Sequence, residues 1–356
     1  MKEAQLTDIL LELSENAGVA GDEEGVVGLA ARYFRQYTDR VETDRFGNLI
    51  AFKRGEKNGT GEQVSLAVLT HIDEIGAMVT KIEAEGFLRF TSVGGIDPRT
   101  LLGQAVVVHG RTPLTGVIGA LAPHLLSEKE RKKELKMEHL FIDLGLTREQ
   151  ALERLNVGDF ISLEQKPLKL PTGCITGKSL DNRAGVAAAI FCAAELAGMK
   201  HDADIYFVTT LQEEVGLRGA VTAAYGLAPD LAVAVDVTHG ELPGLSSGDV
   251  FKLGQGVTIA LGPNIHPALS GLLKELAREQ RIPYQPEPIP ASSSTDAWAA
   301  QVSREGIPAA LLSIPLRYMH SVVEMLHPDD LTGCGRLLSH FARSVDRRFV
   351  EGLACF

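Results

Sequence analysis

Four short apolar, β-prone runs stand out along the chain: SLAVLT at 65–70, IYFVTT at 205–210, LAVAV at 231–235 and AALLSI at 309–314. Each reads as a buried strand. Between some of them the apolar positions switch to helical spacing, over 183–197, 220–226 and 267–280. Leu6, Ile9, Leu10 and Leu13 recur at the same spacing and predict an amphipathic helix near the start. Strands alternating with helices predict an α/β fold, a mostly parallel sheet flanked by helices.

From about 72 to 165 the texture changes. GFLRF, GQAVVVHG, TGVIGAL and VGDFISL are short strand-like runs separated by glycine turns, which predicts a small β-barrel-like module. The α/β pattern stops near 71 and resumes near 172. The module is therefore expected as an insert, 71–165, within one discontinuous domain, 1–70 with 166–356. Inside it, SEKERKKELKMEHL at 127–140 is a dense charge run that reads as a solvated helix or loop.

Bulk properties narrow the function classes. A chain of 356 residues suits about two domains of ordinary size. The formal net charge of −11 argues against a nucleic-acid partner, which needs basic surface to release counterions. No run reaches the roughly 18 apolar residues of a membrane span, since the longest, 186–194, stops at Glu195. The first residues show no basic stretch followed by an apolar core, so a cytoplasmic location is expected. Cys174, Cys192, Cys334 and Cys355 form no CxxC pair, and Cys192 reads as a small core residue.

Two motifs are decoys. GCITGKS at 173–179 ends like a phosphate loop, but Gly173 and Gly177 are separated by three residues where the loop needs four. GLSSG at 244–248 matches a nucleophile elbow in letters only. It sits in a polar, glycine-rich stretch with no helix after it and reads as a turn.

In open α/β sheets, sites form beyond the carboxyl ends of strands. His71, Asp73 and Glu74 follow the first strand, Glu213 and Glu214 the second, Asp236 the third and His320 the fourth. Asp181 precedes a helix, where it could also be an N-cap. Each residue alone has a structural explanation. Together, converging carboxylates would repel and perturb one another's pKa. Two divalent cations remove that conflict. Nitrogen and carboxylate donors without thiolates suit zinc, with cobalt or manganese as alternatives. Such a pair can activate water and polarise a carbonyl, leaving one free carboxylate as general base.

THIDEIG (70–76), KSLDNRAG (178–185), QEEVGLRGA (212–220), VDVTHG (235–240) and IPLRYMHS (314–321) occur in that order. Together they resemble the dinuclear metallo-aminopeptidases that assemble as tetrahedral dodecamers, a family of glutamyl, lysyl and deblocking aminopeptidases with some members labelled endoglucanase. The resemblance implies a zinc-peptidase-like catalytic domain, two metal ions per subunit, peptide substrates and a homo-oligomer built from dimers through the inserted module. It implies that His71 and Asp236 hold one metal, that His320 and Glu214 hold the other, and that Asp181 bridges them. Glu213 is implied as the general base, and Asp73 as the group that orients the His71 imidazole. Ser294, in SSSTDA, stands where the family has glycine, and HGELPG, Gln255 and HSVVE also depart from its usual pattern.

Other readings remain. A deacylase or carboxypeptidase would need a group for a free α-carboxylate, with Arg317 and Arg99 available. A glycosidase would need two carboxylates flanking a sugar bond, whereas Glu213 and Glu214 are adjacent and would point opposite ways on an extended chain. A non-catalytic metal-binding scaffold would have lost part of the donor set.

Overall fold

The computed structural model describes residues 1–56, 63–246, 248 and 250–353, so Cys355 lies outside the described residues. Its centre is an eight-stranded sheet in the order Arg40–Thr43, Leu49–Lys53, Asp204–Thr210, Ser65–His71, Leu231–His239, Ala309–Leu316, Val257–Leu261, Tyr284–Pro288. The four strands read from the sequence are the four central ones, and they run parallel. The flanks mix directions: Leu49–Lys53 and Val257–Leu261 are each antiparallel to their inner neighbours, and Tyr284–Pro288 is parallel to Val257–Leu261.

The central strands are covered on both faces, which is why they lack polar alternation. Leu66, Val68, Val233 and Val235 point into one core, with helices Glu3–Glu15, Glu24–Phe34, Leu180–Leu196 and Pro328–Ser344. Ala67, Leu69, Ala232 and Ala234 point into the other, with helices Arg218–Leu227 and Asp296–Gln301. Alternate residues of one strand thus serve opposite cores. Leu180–Leu196 is apolar on almost every side and is buried along nearly its whole length, with Ala194 and Glu195 partly exposed near its end. Gly335 lets Pro328–Ser344 approach it closely: a Cβ there would lie 2.7 Å from Phe191 and 3.1 Å from the Ala188 carbonyl oxygen.

Between His71 and Leu168 the chain forms a closed antiparallel barrel of six strands: Gly76–Ile82, Leu88–Val93, Leu140–Asp143, Pro113–Ala120, Ala105–His109 and Phe160–Leu163. It has its own core around Val79, Leu88, Val106, Ile118, Ile142 and Ile161. The charged run of 127–140 is one short helix, Glu128–Arg131, followed by irregular chain and a single 3-10 turn.

Several elements carried no clear signal. Tyr284–Pro288 contains Pro286 and Pro288 and forms a strand because it is an edge, where a missing N–H is tolerated. Leu231–His239 runs four residues beyond the apolar run, so Asp236 lies within the strand rather than after it. Among the described residues no helix is long and apolar enough to cross a membrane.

Candidate metal centre

Three neighbouring parallel strands deliver most of the donors. His71 ends Ser65–His71, opposite Thr210 of the next strand, and Glu213 and Glu214 follow that strand. Asp236 comes from the strand on the other side. Asp181 lies at the mouth of Leu180–Leu196, where Asp181 (ψ 105°) and Asn182 (ψ 41°) are not helical. The regular helix thus begins at Arg183, and Asp181 is not its cap. His320 sits in the loop after Ala309–Leu316 with φ 61°.

These residues converge. His71 Nε2 is 3.1 Å from Asp181 Oδ1 and 3.6 Å from Asp236 Oδ1. His320 Nε2 is 3.5 Å from Asp181 Oδ2 and 3.3 Å from Glu214 Oε2. The two oxygens of Asp181 therefore face different histidines. The donor atoms of His71, Asp181 and Asp236 lie within 4.8 Å of one another, as do those of Asp181, Glu214 and His320. A third such group, His71 with Glu213 and Glu214, brings Glu213 to the same place.

Local structure explains the convergence. The strand Ile175–Gly177, just before Asp181, pairs with Glu324–Leu326, just after His320. Glu324 is buried and accepts the backbone N–H groups of both Asp181 (3.0 Å) and His320 (2.9 Å). Gln212, at φ 56°, turns the chain sharply after its strand, so Glu213 and Glu214 both reach the site. The extended-chain argument against their convergence fails for that reason.

Asp73 is fully buried, and its carboxylate accepts the N–H groups of Glu213 (3.0 Å) and Glu214 (3.1 Å). The nearest acceptor to His71 Nδ1 is the Asp73 carbonyl oxygen at 3.3 Å, with the carboxylate at 3.7 Å. Either oxygen type can orient a ligating imidazole. The carboxylate also ties the His71 loop to the Glu213–Glu214 turn.

A cavity of about 640 Å³ opens over the cluster, lined also by Thr238, Glu287, residues 292–295 and Trp298. No Lys or Arg among the described residues lines it. Arg317 is bound to Glu241 (2.9 Å) and Arg99 to Asp97. Neither is placed to hold a substrate carboxylate. The lysine of the phosphate-loop decoy, Lys178, is buried in an ion pair with Glu74 at 2.6 Å. Gly244 of the elbow decoy lies in a turn, and no helix follows it among the described residues before Val257–Leu261.

The family profile of M42 glutamyl aminopeptidases matches residues 47–337. The chain belongs to that family. It is an aminopeptidase of the hydrolase class, in a family of metallopeptidases. It is 34% identical to the lysyl aminopeptidase of Pyrococcus furiosus over 91% of this chain and 93% of that one. A TET aminopeptidase from a marine sediment archaeon, Thaumarchaeota, superposes with a TM-score of 0.93 at 30% identity, over 99% of each chain. The TET1 peptidase of Pyrococcus horikoshii, which assembles into a tetrahedron or a large octahedral shell, superposes with a TM-score of 0.83 at 33% identity, over 96% of this chain and all of that one.

Within this cluster the groups perturb one another strongly. Burial pushes the Glu213 carboxyl up to about 10, opposed by His71 and reinforced by Asp236, Asp296 and Glu214. Hydrogen bonds to Asp181 and Glu214 hold the His320 imidazole up at about 11. Burial works against the charged form of His71, yet Glu213, Asp181 and Asp236 hold it well above its ordinary value. Burial also opposes ionisation of Asp181, but His320 and His71 pull it well below the usual carboxylate range. Carboxylates and imidazoles crowded this closely are the donor chemistry a pair of hard or borderline divalent cations requires.

Two participants escaped sequence reasoning. Glu324 lies in HSVVE, where no strand end or helix start marks it as a site residue. Asp296, in the TDA of SSSTDA, is buried and accepts the Thr210 hydroxyl at 2.6 Å through Oδ2, while Oδ1 has no hydrogen-bond partner. Burial raises Asp296 to about 7, opposed by His71. Ser294 adopts φ 54°, the left-handed conformation that glycine takes without penalty, which is the physical sense of the family's glycine there.

Proposed function

We propose that this chain is a two-metal aminopeptidase that removes N-terminal residues from peptides in the cytoplasm. The observation that carries the reading is the shared Asp181: one oxygen faces His71 and the other faces His320. In this reading His71 and Asp236 would hold one divalent cation, Glu214 and His320 would hold the other, and Asp181 would contribute to both. Zinc fits the donor set best, with cobalt or manganese acceptable. When bound, such a pair polarises the scissile carbonyl and acidifies water.

The side chains do the rest. Glu213 takes the proton of the attacking water and delivers it to the leaving amine. Asp73 holds the backbone of the Glu213–Glu214 turn and, with its own carbonyl, the His71 ring. Glu324 fixes the backbones of Asp181 and His320. Residues 1–70 with 166–356 form the catalytic domain in this account. The insert 71–165 carries subunit contacts in a dodecamer built from dimers, as the TET relatives' assemblies suggest.

The test is a panel of aminoacyl p-nitroanilides with free and N-acetylated amines, run before and after chelation and with zinc, cobalt or manganese restored. Metal-dependent release from free-amine substrates alone is the expected result. Release only from acylated substrates, or a requirement for a free α-carboxylate, would transfer the chain to the deacylases or carboxypeptidases.

A further inference from the structure

Glu287 is a carboxylate that the chemistry above does not use. It lies in the edge strand Tyr284–Pro288, is 9% exposed, and lines the same cavity as the metal donors. Its Oε1 accepts the Thr238 hydroxyl at 2.6 Å and its Oε2 accepts the Thr258 hydroxyl at 2.5 Å. A carboxylate has about four lone-pair positions, so each oxygen retains accepting capacity. A buried carboxylate is costly unless a cation accompanies it. Here the two partners are neutral hydroxyls, and no Lys or Arg among the described residues lines the cavity.

Its position relative to the donors is set by the sheet. Thr238 follows Asp236 by two residues on one strand, so both side chains leave the same face, roughly 7 Å apart along it. Asp236 pairs with Ser313, and Ser313 pairs with Thr258, which puts Thr258 in the same row. The two hydroxyls thus hold the Glu287 carboxylate one pleat from the metal donors. Glu287 and the donors line one cavity, so a substrate residue held at the donors shares that cavity with this carboxylate. Ile289 and Trp298 also line the cavity and offer apolar surface for a methylene stem.

We propose that Glu287 is a specificity-determining residue that selects peptides whose N-terminal residue carries a cationic side chain, lysine or arginine. The inference rests on the two-metal aminopeptidase reading. It runs against the glutamyl preference in the family's description, because an acidic side chain would meet a carboxylate and no cation.

Norleucine supplies nearly the stem of lysine without its charge, so the informative panel is the lysyl, norleucyl and glutamyl p-nitroanilides with the metal-loaded wild-type protein. Lysine should exceed norleucine in kcat/KM by about 10- to 100-fold, the worth of one charge-assisted hydrogen bond, and glutamate should be the poorest. In Glu287→Gln the lysine-to-norleucine ratio should collapse towards one. The wild-type panel decides the matter even where the variant folds poorly. Norleucine cleaved as well as lysine, glutamate preferred, or an unchanged ratio in Glu287→Gln would overturn the assignment and leave the aminopeptidase reading intact. No turnover of any of the three would remove both.

Discussion

At the residue scale, the groups proposed to hold cations are distinct from the group proposed to move a proton. Glu213→Gln keeps the shape and removes the base. We expect kcat to fall by about 10²- to 10⁴-fold with metal content unchanged by elemental analysis. Asp181→Asn should instead lower metal content at both positions, because its two oxygens face different histidines. Loss of only one ion per chain would show that Asp181 is not shared. Glu324 touches no proposed substrate position, so Glu324→Gln tests positioning. Metal affinity measured by calorimetry should weaken, and addition of excess metal should recover part of the activity. The seven residues proposed for the site stood out in the sequence because most lie at or after the end of an apolar strand, where open α/β sheets form sites. Glu324 and Asp296 were not, because their partners are backbone N–H groups and a threonine hydroxyl brought in by other elements. Nor could the sequence show that Gln212 turns the chain and brings Glu213 and Glu214 to one place.

At the element scale, the helix that follows Asp181 and begins at Arg183 couples the site to the core. Its contact with Pro328–Ser344 leaves no room at Gly335. Gly335→Ala should cost about 1–3 kcal/mol of stability by overpacking, read from denaturant unfolding of the metal-loaded protein. An unchanged unfolding midpoint would mean that the helices separate freely. The central strands were legible because burial on both faces makes them continuously apolar. The flanking strands were not. Tyr284–Pro288 carries two prolines and a glutamate, and only its place at the edge makes it a strand. That strand also carries Glu287, so the specificity residue was hidden along with its element.

At the scale of the whole molecule, the cations are expected to stabilise as well as catalyse. Without them, Glu213 (up to about 10), Asp296 (about 7) and His320 (about 11) are groups whose folded pKa exceeds the unfolded value. Such groups contribute stability that is fully present below the unfolded pKa and is lost as pH rises through the folded one. The chelated protein should therefore lose thermal stability steadily from about pH 5 to 10, whereas the metal-loaded protein should change much less. Equal slopes in the two forms would contradict the mutual perturbation described above. The break in the α/β rhythm between about 71 and 172 coincides with the stretch that holds the antiparallel strands Gly76–Ile82 to Phe160–Leu163. The number and order of the strands that close the expected barrel were not legible, because they depend on pairings such as Gly76–Ile82 with Phe160–Leu163, far apart in the chain.

The most direct test of the central claim is a titration of the metal-free protein with zinc or cobalt, following hydrolysis of a free-amine anilide against bound metal per chain. No activity is expected without metal, and a plateau is expected at two ions per chain. Full activity in the metal-free protein, or a plateau with two ions bound and no hydrolysis of any free-amine substrate, would contradict that claim.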